Sequence, residues 1–142
     1  MNVLLVHAGA TLVMVGLIWF VQVVHYPLFT HVPEHAFVAY EAAHTQRTAY
    51  VVGPPMAAEG LTALALVAAP PDGVSQLLAF GSLAVLGLVT ASTVLLQVPL
   101  HSRLAQRWNA ADAHRLVQTN WIRTVGWTVR GVLALVMVAE AS

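Results

Sequence analysis

Four long apolar segments dominate the sequence and constrain what it can fold into. They cover residues 3–24, 49–69, 75–98 and about 119–139. Each has roughly the 20 residues that an α-helix needs to cross a hydrocarbon core about 30 Å thick. Charged residues make up 8% of the chain, against about 25% in ordinary soluble domains. The sequence therefore predicts an all-α protein of the lipid bilayer, with one domain over residues 1–142 and four transmembrane helices.

The connections between the segments predict how the helices are arranged. Residues 70–73, Pro-Pro-Asp-Gly, are typical of a tight turn, so we expect the second and third helices to form a hairpin within an antiparallel bundle. The first segment has no Lys or Arg before it and runs to Val24. We therefore expect a retained transmembrane helix there rather than a cleaved signal peptide.

Basic residues predict the orientation of the bundle. They cluster in or beside the two long connections, residues 25–48 and 99–118, at Arg47, Arg103, Arg107, Arg115 and Arg123. By the positive-inside rule these connections are cytoplasmic and both termini lie outside the inner (plasma) membrane. The formal net charge is zero, so the basic surface that nucleic-acid binding requires is not expected.

Residues 25–47 form the most polar stretch, with four histidines, two glutamates and two tyrosines. Pro33-Glu34 is a good helix start, so a short interfacial helix is expected from there to Arg47, lying as a lid over a site walled by the third and fourth helices. His31 and His35 are expected to be solvated.

Histidines and glutamates of this region are candidate metal ligands. Glu41 and His44 have the i, i+3 spacing found in carboxylate-bridged dimetal bundles, and His25 and His101 end the first and third apolar segments. The chain has no cysteine, which excludes thiolate ligands. The cofactor is left open between a transition metal held by His25, Glu41, His44 and His101, a haem b between His25 and His101, and no cofactor.

Two charges lie inside the apolar segments, where an unpaired charge is costly. Glu59 and Arg130 are about ten and eleven residues from the cytoplasmic ends of their segments, so at about 1.5 Å per residue they reach similar depths. We expect a buried ion pair between them.

Helical spacing places other polar residues on single faces of the third and fourth helices. Together these faces predict a polar cavity open toward the cytoplasmic end. The third helix contributes Thr90, Thr93, Gln97 and His101, and the fourth contributes Asn120, Arg123, Trp127 and Arg130.

Three motifs resemble the anthrone-oxygenase-like (DUF1772) family of small four-helix membrane proteins. They are His25-Tyr26-Pro27, Gln97-Val-Pro99-Leu-His101 and the segment from Asn120 to Arg130. The resemblance covers most of the chain and implies oxidation of an anthrone with dioxygen. It also implies that the matching polar positions are site residues, namely His25, Gln97, His101, Asn120, Arg123, Trp127 and Arg130.

The predicted function is that of an integral-membrane oxygenase or oxidoreductase acting on a lipophilic aromatic molecule, anthrone- or quinone-like. Arg123 and Arg130 would bind its anion, with Gln97, Asn120, Trp127 and Glu59 around it, and His25 or His101 would act as base or metal ligand. The alternative is a non-enzymatic membrane protein that binds metal, haem or anionic lipid, or an accessory subunit of a larger complex. A homo-oligomer is compatible with the small residues Gly9, Gly16, Gly81 and Gly87, which allow close helix packing.

Overall fold

The protein is described here from a computed structural model, which covers residues 2–142. It contains four long helices: α1 (Asn2–His31), α2 (Glu34–Ala68), α3 (Gln76–Leu104) and α4 (Ala110–Glu140). Residues 2–142 contain no strand, so the expected all-α class is confirmed. All four helices are long and apolar enough to cross a membrane, which fits a multi-pass membrane protein.

The helices are longer than the apolar segments that predict them. In particular, α2 is continuous from Glu34 to Ala68, through Pro54 and Pro55, so the short helix expected over residues 33–47 is not a separate element. Nothing between Arg47 and the apolar segment breaks a helix, and backbone hydrogen bonds continue whether the side chains are polar or not. Residues 34–47 therefore belong to the same helix as the second apolar segment.

The polarity of the bundle is inverted relative to a soluble protein, in which charged residues are almost never fully buried. Large apolar side chains cover its outside; Leu61, Leu77 and Leu95, for example, are all strongly exposed. Its inside holds a set of buried polar side chains: His7, Thr11, Gln22, Glu41, Glu59, Ser82, Ser92, Gln97, Asn120, Arg123, Thr124 and Arg130. This distribution fits a lipid environment, where apolar surface needs no shielding from water.

Apolar clusters hold the helices together at the two ends and in the middle. At one end Phe29, Phe37, Leu104 and Leu116 bring together all four helices. At the other end Leu4, Leu66 and Met137 pack with the α2–α3 connection. The helix α4 packs against both α1 and α3, and the polar layers described below lie between these clusters.

Two π-helical turns interrupt the regular helices beside the polar interior. One covers Val21–His25 in α1 and the other Thr93–Gln97 in α3. A π turn contains one residue more than an α-helical turn. The buried positions Val89 and Gln97 are accordingly eight residues apart, whereas two α-helical turns would separate them by about seven. Thr90, expected on the inward stripe, is therefore exposed.

The α2–α3 connection fits the turn expected at residues 70–73. Gly73 has a φ of +84°, a left-handed conformation that glycine adopts readily. A Cβ at this position would collide with the backbone carbonyl oxygen of Glu140. The connection therefore lies directly against the end of α4.

Candidate functional site

A cluster of histidine, glutamate and tyrosine side chains joins α1, α2 and α3 at one end of the bundle. The buried Glu41 carboxylate contacts His101 Nδ1, and the Tyr26 hydroxyl lies 2.9 Å from His101 Nε2. His44 Nδ1 lies 2.9 Å from His25 Nε2 and 3.1 Å from the Thr48 hydroxyl. Residues far apart in the chain thus meet in one hydrogen-bonded group.

Three of these side chains are arranged as metal ligands can be. Glu41, His44 and His101 each offer a ligand atom, and these atoms lie within 4.8 Å of one another. They are three of the four ligands predicted from the sequence. His25, the fourth, is outside this group and reaches it through its contact with His44.

A haem between His25 and His101 does not fit this arrangement. The ring of His44 lies against both, with centroid distances of 4.5 Å to His25 and 5.4 Å to His101. Both nitrogens of His101 have partners, Tyr26 and Glu41. A bis-histidine haem needs its two histidines on opposite faces of a porphyrin.

A cavity of about 360 Å³ lies next to the cluster, and His101 forms part of its wall. Most of its lining is apolar or small, including Val52 and Met56. Arg123 and Gln97 supply polar groups to the wall. Within the described residues, Arg123 Nε and Gln97 Oε1 are buried and have no hydrogen-bond partner, so each of these two lining residues keeps one polar atom unpaired beneath the cavity surface.

Behind this wall, hydrogen bonds and a cation–π contact fix the position of Arg123. Its Nη1 donates to Asn120 Oδ1 at 3.2 Å, and its guanidinium lies 5.3 Å from the Trp127 ring centroid. Asn120 Nδ2 and the Thr124 hydroxyl both donate to Gln22 Oε1, at 2.9 and 3.2 Å. The arginine is therefore held by neutral groups and has no carboxylate partner among residues 2–142.

Deeper in the bundle lies the ion pair expected between Glu59 and Arg130, which is confirmed. Arg130 Nε donates to Glu59 Oε1 at 2.9 Å, and neither side chain is exposed. Trp127 Nε1 donates to the other carboxylate oxygen at 3.0 Å, and Arg130 Nη1 donates to the carbonyl and hydroxyl oxygens of Ser82.

This pairing changes the role expected for several residues. Arg130, Glu59, Trp127 and Asn120 do not line the cavity. Arg130 is engaged by Glu59 and is not available to a bound anion in this arrangement, which leaves Arg123 alone as the cavity's guanidinium. The four residues instead pack behind or below the site.

The stretch first expected to act as a lid is a fixed part of α2, and of residues 34–47 only Thr45 lines the cavity. Glu41 and His44 face inward from α2, whereas Glu34, His31 and His35 are exposed, as expected for the two histidines. Because residues 34–47 continue into the transmembrane part of α2, they cannot move over the site as a separate element without breaking that helix.

Sequence reasoning missed Tyr26 and Ser82 and did not single out Thr124. Tyr26 stands in the His25-Tyr26-Pro27 motif, which was the available signal for it. Its inward position depends on the π turn that ends at His25, and periodicity alone gives no sign of that turn.

An apolar groove of about 840 Å³ runs between α2 and α3 on the outside of the bundle. Its lining includes Gly60, Leu64, Leu86 and Gly87. Met56 lines both this groove and the site cavity. The groove therefore adjoins the site at that side chain.

Comparison with protein-family models, with curated proteins and with solved structures finds no match. The resemblance to the anthrone-oxygenase-like family stays a prediction.

Proposed function

We propose that the protein is an integral-membrane oxidoreductase of the oxygenase type, acting on a lipophilic and weakly acidic aromatic molecule such as an anthrone or hydroquinone. The observation that carries this proposal is the cavity of about 360 Å³ with His101 and Arg123 in its wall. A proton acceptor and a fixed cation beside one apolar space suit a substrate that reacts as its anion. The same activity is implied by the family resemblance.

Arg123 is the group that would hold the substrate oxygen. Its Nε has no partner within the described chain, and its charge is balanced by no carboxylate there. An enolate or phenolate oxygen would satisfy both the donor and the charge, and charge-assisted hydrogen bonds are the stronger ones. Gln97, with its free Oε1, would accept a hydrogen bond from a substrate hydroxyl.

The Glu41–His44–His101 group would accept the substrate proton. For an anthrone, loss of one C–H proton to this group gives a carbanion, and dioxygen adds to that carbon as a hydroperoxide that takes up a proton. Loss of the second C–H proton breaks the O–O bond and leaves the ketone and water. Carbon loses four electrons and dioxygen gains four, so the reaction needs no other reductant.

The groove between α2 and α3 supports a substrate that arrives from the lipid. It is apolar, lies on the membrane-facing side of two spanning helices and adjoins the cavity at Met56. Pro54 and Pro55 lie on α2 beside it, and the π turn of α3 lies at the cavity. A lipid-dissolved aromatic molecule could thus reach the site without crossing water.

The bundle is proposed to be antiparallel, with the site toward the cytoplasmic face of the inner membrane. The antiparallel arrangement is supported by the contact between His7 and Thr62, 2.9 Å apart, and by the proximity of Gly73 to Glu140. The first turns of α2, with exposed Glu34, would lie at the membrane interface.

Oxygen uptake by purified, detergent-solubilised protein tests the activity. We expect uptake with a dihydroxyanthrone or an alkyl-hydroquinone, and a rise in KM of about 10- to 100-fold in Arg123→Gln, since a hydrogen bond to a charged group contributes about 1.5–3 kcal/mol. Arg115→Gln, an exposed arginine on the same helix, is the matched control and should behave as wild type.

Absence of uptake above the uncatalysed rate with both substrate classes, in protein that melts cooperatively, would reject the proposal. Equal KM values for Arg123→Gln and Arg115→Gln would reject the role of Arg123. The non-enzymatic alternative, a metal-binding or accessory membrane protein, is favoured by the ligand group itself, of which only His101 lines the cavity.

A further inference from the structure

We propose that Glu41, His44 and His101 bind one divalent transition-metal ion at the end of the site cavity. Glu41 and His44 are one turn apart on α2, and His101 reaches them from the last turns of α3. Their ligand atoms already lie within 4.8 Å of one another. Small side-chain rotations would bring all three to the metal–nitrogen and metal–oxygen distances of about 2.0–2.2 Å.

The unsatisfied charge of Glu41 is an independent sign of a bound cation. Its side chain is completely buried, one carboxylate oxygen contacts His101, and the other has no partner anywhere in residues 2–142. Glu59, which is equally buried, has Arg130 on one oxygen and Trp127 on the other. Burial of a carboxylate is strongly unfavourable unless it is paired, so the contrast between the two glutamates points to a missing partner at Glu41.

The contacts of the two histidines leave His44 Nε2 without a partner among residues 2–142, while His101 Nδ1 faces its proposed co-ligand, the Glu41 carboxylate. Nε2 of His101 is 2.9 Å from the Tyr26 hydroxyl, and Nδ1 of His44 is 2.9 Å from His25 Nε2. Metal-binding histidines commonly donate their second N–H to such a partner, which orients the ring. Tyr26 and His25 are therefore positioning residues, with His101 Nδ1 and His44 Nε2 as ligand atoms.

The ligand types select the class of ion. Two imidazoles and one carboxylate suit iron(II), manganese(II) or zinc(II), whereas Ca²⁺ and Mg²⁺ prefer sites made of oxygen ligands alone. Three protein ligands leave positions open for water or substrate, and His101 lies in the wall of the cavity.

Binding of the ion stands apart from the proposed function, but its catalytic use rests on that function. If held by Glu41, His44 and His101, the ion would supply a Lewis acid that makes bound water much more acidic, next to the His101 imidazole in the cavity wall.

Metal titration of chelator-stripped protein tests the site without any substrate. We expect one Zn²⁺ or Mn²⁺ per chain, and one Co²⁺ with a visible absorption spectrum of nitrogen and oxygen ligation. His44→Ala and His101→Ala should lose at least 100-fold in affinity, and Tyr26→Phe about 10- to 100-fold, the effect of losing an outer-shell partner. His31→Ala and His35→Ala, which remove exposed histidines, should bind as wild type.

Glu41→Gln separates ligand loss from unfolding. It should bind the ion at least 100-fold more weakly while the metal-free protein melts no lower than wild type, since a neutral amide is cheaper to bury than a carboxylate. Folded wild type that binds no ion at micromolar concentrations overturns the inference, as does affinity that falls in His31→Ala and not in His44→Ala. A metal-binding protein without oxygen uptake would leave this inference intact and reject only the proposed activity.

Discussion

At the scale of single residues, the buried charges differ in whether a permanent opposite charge pairs with them. Glu59 and Arg130 pair with each other, as a charge at membrane depth requires, and Trp127 and Ser82 add hydrogen bonds, although Arg130 Nη2 has no partner among residues 2–142. Glu41 and Arg123 each keep a buried atom without a partner among residues 2–142. The first pair therefore stabilises the bundle, whereas the second two are the groups available for a ligand.

A double-mutant cycle tests the structural role of the ion pair. Arg130→Leu should destabilise the protein by about 3–5 kcal/mol, because it leaves the Glu59 carboxylate buried and uncompensated. Adding Glu59→Leu should restore much of this loss, although Trp127 and Ser82 also lose their partner. The measurement is the free energy of unfolding in detergent, and additive effects of the two changes would contradict the pairing.

At the scale of elements, the two π turns decide which residues face the site. They cover Val21–His25 and Thr93–Gln97, and so lie just before Tyr26 in α1 and just before His101 in α3. Each shifts the helix after it by one residue relative to a regular α-helix, which is about 100° of rotation. Without the second π turn, α3 could not direct Val89 into the core and His101 toward Glu41 at the same time.

Deletion of Leu95, an exposed residue within the second π turn, tests this role. We expect α3 to become a regular helix with helicity unchanged, and His101 to rotate away from Glu41. Because the chain has no cysteine, Glu41→Cys with His101→Cys can be joined by a short bifunctional thiol reagent. Cross-linking should occur in the full-length pair and disappear after the deletion.

The control is deletion of Gln106, in the α3–α4 connection beyond His101, which leaves the rotation of α3 unchanged. Cross-linking that survives the Leu95 deletion but not the Gln106 deletion would show that the π turn does not orient His101.

At the scale of the whole molecule, the outer surface is apolar, and the histidine, glutamate and tyrosine cluster lies at one end of the bundle. Gly9, Gly16, Gly81 and Gly87 all have open space where a Cβ would be, so none is used to pack helices within the chain. A homo-oligomer through these positions stays a prediction. The orientation of the bundle stays a prediction from charge, because exposed arginines flank the site end.

Cysteine labelling tests that orientation. Asp72→Cys, in the α2–α3 connection, should react with a membrane-impermeant maleimide in intact cells. Arg107→Cys, in the α3–α4 connection, should react only after the cells are permeabilised, because the positive-inside rule places it in the cytoplasm. The reverse pattern would invert the proposed orientation, and labelling of both positions in intact cells would contradict an odd number of crossings between them.

The sequence alone determined the helical class, the four spanning segments and the Glu59–Arg130 pair. Apolar length and charge depth are one-dimensional quantities, and a regular helix converts them directly into position. The sequence also identified Glu41, His44, His101 and Arg123 as candidate site residues. It did not distinguish them from Arg130, which it assigned to the site as well.

Only the tertiary structure decided which of these candidates share a site. Partners are fixed by contacts between distant segments: Arg130 pairs with Glu59, whereas neither Arg123 nor Glu41 pairs with a permanently charged side chain among residues 2–142. The π turns and the unbroken α2 could not be predicted from the sequence either. A π turn needs no particular residue types and changes only the rotational phase of the helix after it. That phase brings His101 to Glu41 and turns Thr90 outward, whereas the unbroken α2 holds Glu41 and His44 beside His101.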